Sequence, residues 1–377
     1  MEYQRTPLLF GDILLSAKTP DHKQIATVDE LKGIPFTNPE YKVAGVRNKL
    51  ILIRPTLGVG WTGGLLDALM VARELDDALT GRPSIRELQG ALTKYYRATP
   101  PRLRDVRLVG VLISNGVSTI FRWNGETDEF STGSFFVDGS GTDGLHEQIG
   151  KTLSAGTLNL DADLVGQRSH DDSVRLVLGR VGFFLGEEIL LRRNLPDHFG
   201  GGFDIVFFDG HQLRRVASFC LLPVDATLIK HSTRNIEYDL QFRATSFWQS
   251  WHNGLVTSRI DFESQAGTFS REEVCLKIKS RSSATAQAFP VDQGEHEPER
   301  PRYIGFYQRL LAADAAVASQ CIIYRTPSED VAISEKDNLV RIRLSQNFHD
   351  HMNKSVHDAL ADEKVIELIR QAAPHLV

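Results

Sequence analysis

The sequence predicts an α+β protein in two parts, a larger one over residues 1–223 and a smaller one over residues 224–377. In the first part, short apolar runs alternate with helical patterns, which indicates β-hairpins separated by helices. In the second part, apolar and polar residues alternate along stretches such as Ile236–Arg243, which is typical of strands with one solvated face. A polar stretch near residues 281–302 predicts a flexible loop or linker.

Composition narrows the class of protein. With 377 residues, of which 41% are hydrophobic and 24% charged, the chain is expected to form two globular domains. Its formal net charge of −5 disfavours nucleic acid as the main partner. No apolar stretch is long enough to span a bilayer, and the N-terminal residues lack the features of a secretory signal. The three cysteines are far apart in apolar or alternating runs, so we expect reduced core residues in a cytoplasmic protein.

The first part is expected to contain three hairpins. Leu8–Ala17 and Leu50–Ile53 are apolar runs of strand length, and the second is followed by a return run, Leu57–Gly63, that predicts a hairpin. Two more hairpins are expected where Asn115-Gly116 and Asp209-Gly210 separate apolar runs, because these pairs favour the tight turns of hairpins.

Helices are expected between these hairpins. From Gly64 to Leu79, apolar residues recur at three- and four-residue spacing, which predicts an amphipathic helix. Ser84 and Glu87 have the spacing of a capping box, which predicts the start of a second helix. A third helix is expected over Asp171–Arg193.

The second part is expected to form a smaller α+β extension. Alternation predicts strands around Val274–Ile278 and Val340–Leu344. Helical patterns predict one helix near Tyr303–Ser319 and another near Asn353–Ala373.

Gly58, Gly60 and Gly63 have the G-x-G-x-x-G spacing of a dinucleotide-binding loop. Such a loop requires a second parallel strand that ends in an acidic residue about twenty residues further on, but Ser84 starts another helix instead. No Lys-Ser or Lys-Thr pair follows Gly63, which excludes a phosphate-binding P-loop. We therefore expect that these three glycines permit tight packing and that the protein binds no cofactor.

The order of hairpins and helices resembles the proteasome β-subunit family, which has the N-terminal-nucleophile (Ntn) hydrolase fold. The resemblance covers roughly Gly11 to Pro223 and does not extend to the C-terminal part. It is carried by an ordered set of motifs: Lys49–Ile53, Gly58–Ala68, Arg107–Ile113, Asp138–Gly141 and Gly201–Phe208. The resemblance implies a four-layer αββα sandwich and self-assembly, since members of the family stack as rings.

The resemblance also implies a set of catalytic positions. In the family, an N-terminal threonine supplies the nucleophile and its α-amine accepts the proton. A lysine at the start of the third strand favours the deprotonated hydroxyl through its charge; Lys49 matches it. Ser140 matches the serine beside the nucleophile, and Asp197 matches the assisting aspartate, with Asn194 as a rival. A solvated lysine before a strand and a Gly-Ser-Gly turn remain the alternatives for Lys49 and Ser140.

The nucleophile has no clear counterpart. Counting back from Gly11 at family spacing reaches Met1 or Glu2, neither of which has a hydroxyl or thiol. Thr6 is a weak candidate because Pro7 would then lie in a very short first strand and remove a ladder donor. Ser16 is another hydroxyl near the first strand. The acid that the family carries at the end of the second strand is replaced by Ala17-Lys18.

We therefore expect a structural or interaction subunit that lacks the threonine peptidase activity and assembles into a homo-oligomer. The C-terminal part would provide a contact for a protein partner. The alternative is a divergent Ntn-type peptidase or amidohydrolase with a non-standard nucleophile.

Other candidates for chemistry have ordinary structural explanations. His349, His351 and His357 could suggest a metal site, but solvated histidines at a helix start are the expected arrangement, and we expect no metal. The aromatic segment Phe247–Trp251 has few basic neighbours, so a packed anchor or a protein contact is expected rather than nucleic-acid stacking.

Overall fold

The protein is a mixed α+β structure in a computed structural model. The structure describes residues 7–12, 14–17, 42–46, 48–99, 105–125, 127–132, 136, 138–139, 178–179, 181–182, 203–216, 218–230, 238–250, 256–265, 268–271, 303–313, 315–325, 331–336 and 339–374. Statements about structure below concern these residues. The expected strand at Val274–Ile278 and the polar stretch 281–302 lie outside them.

The centre of the first part is a five-stranded antiparallel sheet whose strands follow chain order. Its strands are β4 (Leu50–Arg54), β5 (Leu57–Gly63), β6 (Val106–Ser114), β7 (Val117–Trp123) and β8 (Asp128–Ser131). The β6–β7 turn has the predicted conformation, because Asn115 and Gly116 have φ angles of 51° and 77°. Two of the three expected hairpins therefore lie in this sheet.

Two helices, α1 (Leu65–Ala78) and α2 (Ile85–Ala98), cover one face of this sheet. Both were predicted, and the capping box of Ser84 and Glu87 is present at the start of α2. Leu75 of α1 and Leu88 of α2 are fully buried in one cluster with Leu57 and Trp61 of β5. The apolar helix faces are thereby removed from water, which is the main source of their stability.

The opposite face of the five-stranded sheet meets a second sheet. This three-stranded sheet has the order β1 (Leu8–Asp12), β9 (Phe203–Phe208) and β10 (Leu213–Arg215), with antiparallel pairing throughout. Side chains from both sheets form one cluster: Leu9, Leu50, Val111, Ile113, Val206 and Leu213. Two further strands, β2 (Leu14–Ala17) and β3 (Lys42–Val46), pair only with each other among the described residues.

The glycines of β5 permit the close approach of these sheets. A Cβ on Gly58 would lie 3.2 Å from side-chain atoms of both Leu9 and Leu213, and one on Gly60 would lie 3.0 Å from Leu50. These distances are tighter than ordinary carbon contacts. The geometry supports the expected packing role of the glycines.

Strand β9 is buried on both faces. Val206 faces the five-stranded sheet, whereas Phe203, Ile205 and Phe207 lie in a third cluster with the helical residues Leu178 and Val181. These are the residues of the expected helix Asp171–Arg193 whose side chains are described. The continuous apolar run of β9 thus reflects burial on two sides.

The C-terminal part contains a six-stranded sheet and two helices. In sheet order the strands are β14 (Thr268–Arg271), β13 (Val256–Gln265), β12 (Tyr238–Ser250), β11 (Ser218–Lys230), β15 (Tyr303–Ala312) and β16 (Ala315–Arg325). Only the β11–β15 pair is parallel. A separate hairpin consists of β17 (Val331–Lys336) and β18 (Leu339–Leu344). Its second strand was predicted from the alternation at Val340–Leu344.

Strand β11 contributes to both parts of the protein. It runs through Pro223, where the sequence predicts a domain boundary. The boundary at this position remains a prediction. Phe219 and Leu221 belong to the cluster around β9, whereas Cys220 and Leu222 belong to the core of the six-stranded sheet. Alternating residues of one strand therefore join two hydrophobic cores.

The prediction of a helix near Tyr303–Ser319 was wrong. These residues form β15 and the start of β16, which turn at Ala313. Residues 304–310 are all buried, since β15 is hydrogen-bonded to a strand on each side and lies inside the sheet. A strand buried on both faces has a nearly continuous apolar pattern, which sequence periodicity cannot separate from that of a helix.

The helix expected near Asn353–Ala373 is two helices. Helix α3 (Gln346–Leu360) begins at the cap Ser345, and α4 (Glu363–Ala372) begins at Asp362, whose side chain accepts a hydrogen bond from Lys364 N. The cap at Asp362 interrupts the helical pattern. Both helices pack on the six-stranded sheet through residues that include Phe348, Met352 and Ile369. No helix among the described residues is long and apolar enough to cross a membrane.

Candidate functional site

Lys49, the lysine singled out by the resemblance, is held in an ion pair with the first strand. Its Nζ lies 2.7 Å from Asp12 Oδ1, and the two side chains are only 18% and 13% exposed. The backbone carbonyl of Lys49 accepts a hydrogen bond from Trp61 N at 3.1 Å, which fixes the residue at the start of β4. Lys49 is therefore not a solvated strand end.

The pairing of β1 with β9 explains why Asp12 is available to Lys49. In this register Asp12 lies opposite Phe203, and Gly11 lies opposite Asp204. A Cβ on Gly11 would lie 3.6 Å from Leu50 Cδ2, so the end of β1 passes directly over the start of β4. The next residue, Asp12, then reaches the lysine that precedes Leu50.

A second ion pair lies beside the first. Arg215 Nε is 3.0 Å from Asp204 Oδ1, and Arg215 Nη2 donates a hydrogen bond of 2.6 Å to the carbonyl of Leu50. The Asp204 side chain is fully buried and the Arg215 side chain is 10% exposed. Burial raises the pKa of Asp204, although the charge of Arg215 and the backbone N–H groups of Leu50 and Ile205 oppose this rise. Arg215 Nε and Asp204 Oδ1 are close but not aligned for a hydrogen bond, so they interact only as opposite charges.

The segment that leads to Ser140 is anchored on the same sheet. Thr62 Oγ1 donates to Asp138 Oδ1 at 3.3 Å, and Arg107 Nη1 lies 3.6 Å from the same oxygen. Gly139 has a φ angle of 121°, and a Cβ there would lie 3.3 Å from Thr62 Cγ2. Thr62 follows Trp61, whose backbone binds Lys49, so this anchor and Lys49 lie at the same end of β5.

The other predicted site residues are not described by the structure. Thr6, Ser140 and Asp197 lie outside the described residues, as does Asn194. Ser16 lies in β2, but its side chain is not described. The structure therefore places Lys49 and does not test whether the remaining positions converge on it.

The possible metal ligands lie on helix α3. His351 and His357 are both on this helix, and no group of three or more His, Cys, Asp or Glu side chains within the described ranges could hold a metal ion. Residues 247–250 form the end of β12, their side chains and Trp251 lie outside what the structure describes, and the role of the Phe247–Trp251 segment stays a prediction.

Sequence reasoning missed three charged residues of this site: Asp12, Asp204 and Arg215. The signal for Asp204 was present, because an aspartate within the run Phe203–Phe208 is a charge in an otherwise apolar strand. Such a charge requires a partner when it is buried. Its partner Arg215 lies on the next strand of the same hairpin, whereas the contact of Arg215 with Leu50 arises only through the packing of two sheets.

The arrangement brings together two carboxylates and two cations around the Lys49–Leu50 backbone. Among the described residues, the hydrogen-bonding partner of Lys49 Nζ is a carboxylate and not a hydroxyl. The site can therefore order charges and exclude water, and a nucleophile is not part of the described geometry.

No model of a known protein family matches the sequence, and no curated protein is significantly similar to it.

Proposed function

We propose that this chain is a proteasome-like subunit with a structural, interaction role, which associates with copies of itself and lacks threonine peptidase activity. The order of layers in the first part supports the four-layer αββα sandwich expected from the resemblance. Helices α1 and α2 cover the five-stranded sheet, the three-stranded sheet packs on its other face, and the helical residues Leu178 and Val181 cover that second sheet.

The Asp12–Lys49 ion pair is the observation that carries this proposal. A lysine that activates a hydroxyl acts through uncompensated positive charge close to the oxygen. Here a carboxylate 2.7 Å away balances that charge, and the pair joins β1 to the start of β4. Lys49 then serves as a tie between two sheets. The absence of a hydroxyl or thiol at Met1 and Glu2 agrees with this structural role.

The outer face of α1 supports association between copies. Leu66 is 75% exposed and Met70, one helical turn later, is 46% exposed. These two apolar side chains lie on the same face of the helix, where a contact with another chain would remove them from water. A second copy of this chain is the proposed occupant, because the resemblance implies that helix layers of neighbouring subunits meet.

Light scattering after size-exclusion chromatography tests the association. We expect an oligomer for the wild-type chain and a smaller species for Leu66→Glu combined with Met70→Glu. Val117→Glu is the matched control, since Val117 is 52% exposed but lies on β7, away from α1. A strictly monomeric wild-type protein, or an oligomer that survives both α1 substitutions, would contradict the proposed contact.

The same Asp12–Lys49 pair also allows a second candidate, the divergent Ntn-type peptidase or amidohydrolase. The family acid expected near Ala17-Lys18 is missing, yet Asp12 supplies a carboxylate to Lys49 from the first strand. A carboxylate and a lysine in a partly dry site are suitable for controlling the charge of a nucleophile.

Intact-mass measurement after treatment with a β-lactone or vinyl-sulfone probe separates the two candidates. The structural proposal predicts no adduct on the wild-type chain. An adduct that forms on the wild-type protein but not on Lys49→Met would establish the hydrolase instead. Lys94→Met is the matched control, because Lys94 is an exposed lysine on α2.

A further inference from the structure

The backbone carbonyl of Leu50, the residue after Lys49, is held by the cation of a buried ion pair. Arg215 Nη2 donates a 2.6 Å hydrogen bond to its carbonyl oxygen. The N–H group of Leu50 helps to lower the pKa of Asp204, against the larger, opposite effect of burial. Arg215 and Asp204 contact each other at 3.0 Å. The Leu50 carbonyl is thus held by Arg215, which in turn contacts the buried Asp204 carboxylate.

Stability alone is a weak explanation for this pair. Asp204 is completely buried, and removing a carboxylate from water costs several kcal/mol, so that a buried pair is often no more stabilising than apolar side chains of similar size. The neighbouring residues Phe203 and Ile205 belong to an apolar cluster, and an apolar residue at position 204 would continue the run. The pair therefore calls for an explanation based on what it contacts.

The Asp204–Arg215 pair lies next to both Asp12 and Lys49. Asp204 lies opposite Gly11 in the β1–β9 register, one residue before Asp12. Through Arg215, which contacts it and donates to the Leu50 carbonyl, it is also linked to the residue that follows Lys49. One side chain is consequently adjacent to both strand ends whose side chains must meet at 2.7 Å.

We propose that Asp204 and Arg215 are positioning residues of the Lys49 site, which clamp the Leu50 backbone so that the Lys49 ammonium group meets Asp12. The inference rests on the proposed function only in taking the Asp12–Lys49 pair as the tie between β1 and the start of β4. Neither side chain acts on a substrate. Their role is to fix the direction in which Lys49 leaves the start of β4.

Site-specific acylation of lysine tests this role in the full-length protein. A brief treatment with acetic anhydride, followed by peptide mass spectrometry, gives the acylation rate of Lys49 relative to the exposed Lys94 in the same molecule. The variants are Asp204→Asn, which removes the charge, and Arg215→Lys, which retains a charge but cannot contact Asp204 and Leu50 together. We expect Lys49 to react roughly tenfold faster in both, as for loss of a charge-assisted hydrogen bond.

The six-stranded sheet offers a matched control. Asp225 and Arg309 form another cross-strand pair of low exposure, with Arg309 Nε 2.7 Å and Nη2 3.0 Å from the two carboxylate oxygens. Asp225→Asn and Arg309→Lys should lower the free energy of unfolding but leave the relative reactivity of Lys49 unchanged. A role that is only structural would not produce this difference between the two pairs.

The outcomes separate this inference from the proposed function. Faster acylation of Lys49 in the Asp204 and Arg215 variants alone supports the clamp, whereas unchanged acylation overturns it. Equal acceleration in all four variants also overturns it, because general loosening would then be the cause. If Asp204→Asn does not fold, the acylation rate of Lys49 in the milder variant Arg215→Lys decides between the outcomes. The association of copies and the formation of probe adducts are measured in separate experiments. The proposed function can therefore fail while the clamp is supported, and the clamp can fail while the proposed function is supported.

Discussion

Lys49 and Asp12 form an ion pair across 37 positions of the sequence, and this pair joins the first strand to the start of β4. Both side chains are mostly removed from solvent, at 18% and 13% exposure. Partial burial strengthens a charge–charge interaction but adds a desolvation cost. The short distance and the fixed backbone of both partners indicate that the interaction is net favourable here.

We predict a measurable coupling energy between these two residues. In a double-mutant cycle with Asp12→Asn and Lys49→Met, urea unfolding should give a coupling of about 1–2 kcal/mol, above the range typical of exposed pairs. The pair Arg73–Asp77 is the control, since its partners are 84% and 69% exposed and 4.0 Å apart. Its coupling should be near zero. Equal coupling in the two cycles would show that burial adds nothing at Lys49.

Two glycines should respond in opposite directions to replacement by alanine. A Cβ on Gly110 would collide with the ring of Phe121 and lie 2.8 Å from Gly58 O, whereas nothing lies within 4 Å of a Cβ on Gly90 in α2. Gly110→Ala should lower the free energy of unfolding by about 1–3 kcal/mol, as expected for overpacking. Gly90→Ala should raise it by about 1 kcal/mol through helix propensity. Urea unfolding of both variants tests the pair, and a destabilised Gly90→Ala would contradict the open surface of α2.

The turn between β9 and β10 should depend on an ionised Asp209. Its Oδ1 accepts hydrogen bonds from His211 N at 2.8 Å and Gln212 N at 2.9 Å, and its Oδ2 pairs with Arg214. Burial alone would raise the pKa of Asp209, but these partners outweigh it and lower the pKa below its ordinary value of 3.8. The carboxylate therefore stabilises the fold fully above pH 3.8, and this contribution is lost as pH falls through the lower folded-state pKa.

Comparison of the wild-type protein with Asp209→Asn tests this dependence. At pH 7 the free energy of unfolding of the variant should be about 1 kcal/mol lower than that of the wild type, because a charge-assisted interaction is lost. The difference should shrink as the pH is lowered below 3.8. Urea titrations over a pH series measure it. A difference that stays constant or grows in acid would show that the charge of Asp209 is not the cause.

Cys220 should be inert in the folded protein. Its thiol is free and completely buried in β11, and burial raises its pKa far above the ordinary value of 9.0. Alkylation requires the thiolate and access of the reagent, so iodoacetamide should label Cys220 at least about a hundredfold more slowly in the native state than in denaturing urea. Peptide mass spectrometry resolves this cysteine from the other two. Rapid labelling of the native protein would show that β11 opens locally.

Local features of the fold were predictable because their causes lie within a few residues. The capping box of Ser84 and Glu87 and the turn at Asn115-Gly116 depend only on neighbouring backbone groups, and both are present as predicted. The β9–β10 hairpin around Asp209 is another such case. The position of Lys49 before a strand was also evident, although its importance came from a resemblance to a family rather than from periodicity.

The site depended on contacts that no local pattern contains. Asp12, Asp204 and Arg215 gather around Lys49 because β9 pairs with β1 and because the two sheets pack face to face. An aspartate in an apolar strand indicates that a partner is required, but not which of many cations supplies it. The choice of Arg215 is made by the sheet register and by the exclusion of water.

The sequence by itself determined the turns, the caps and the apolar faces of α1 and α2, since these follow from short-range sterics and periodicity. Only the tertiary structure decided that the residues of β15 form a strand, because a neighbouring strand on each side satisfies its backbone and residues 304–310 are all buried. Tertiary structure likewise turned Lys49 from a strand end into one half of a buried pair, because charges separated in sequence meet only when the sheets that carry them pack together.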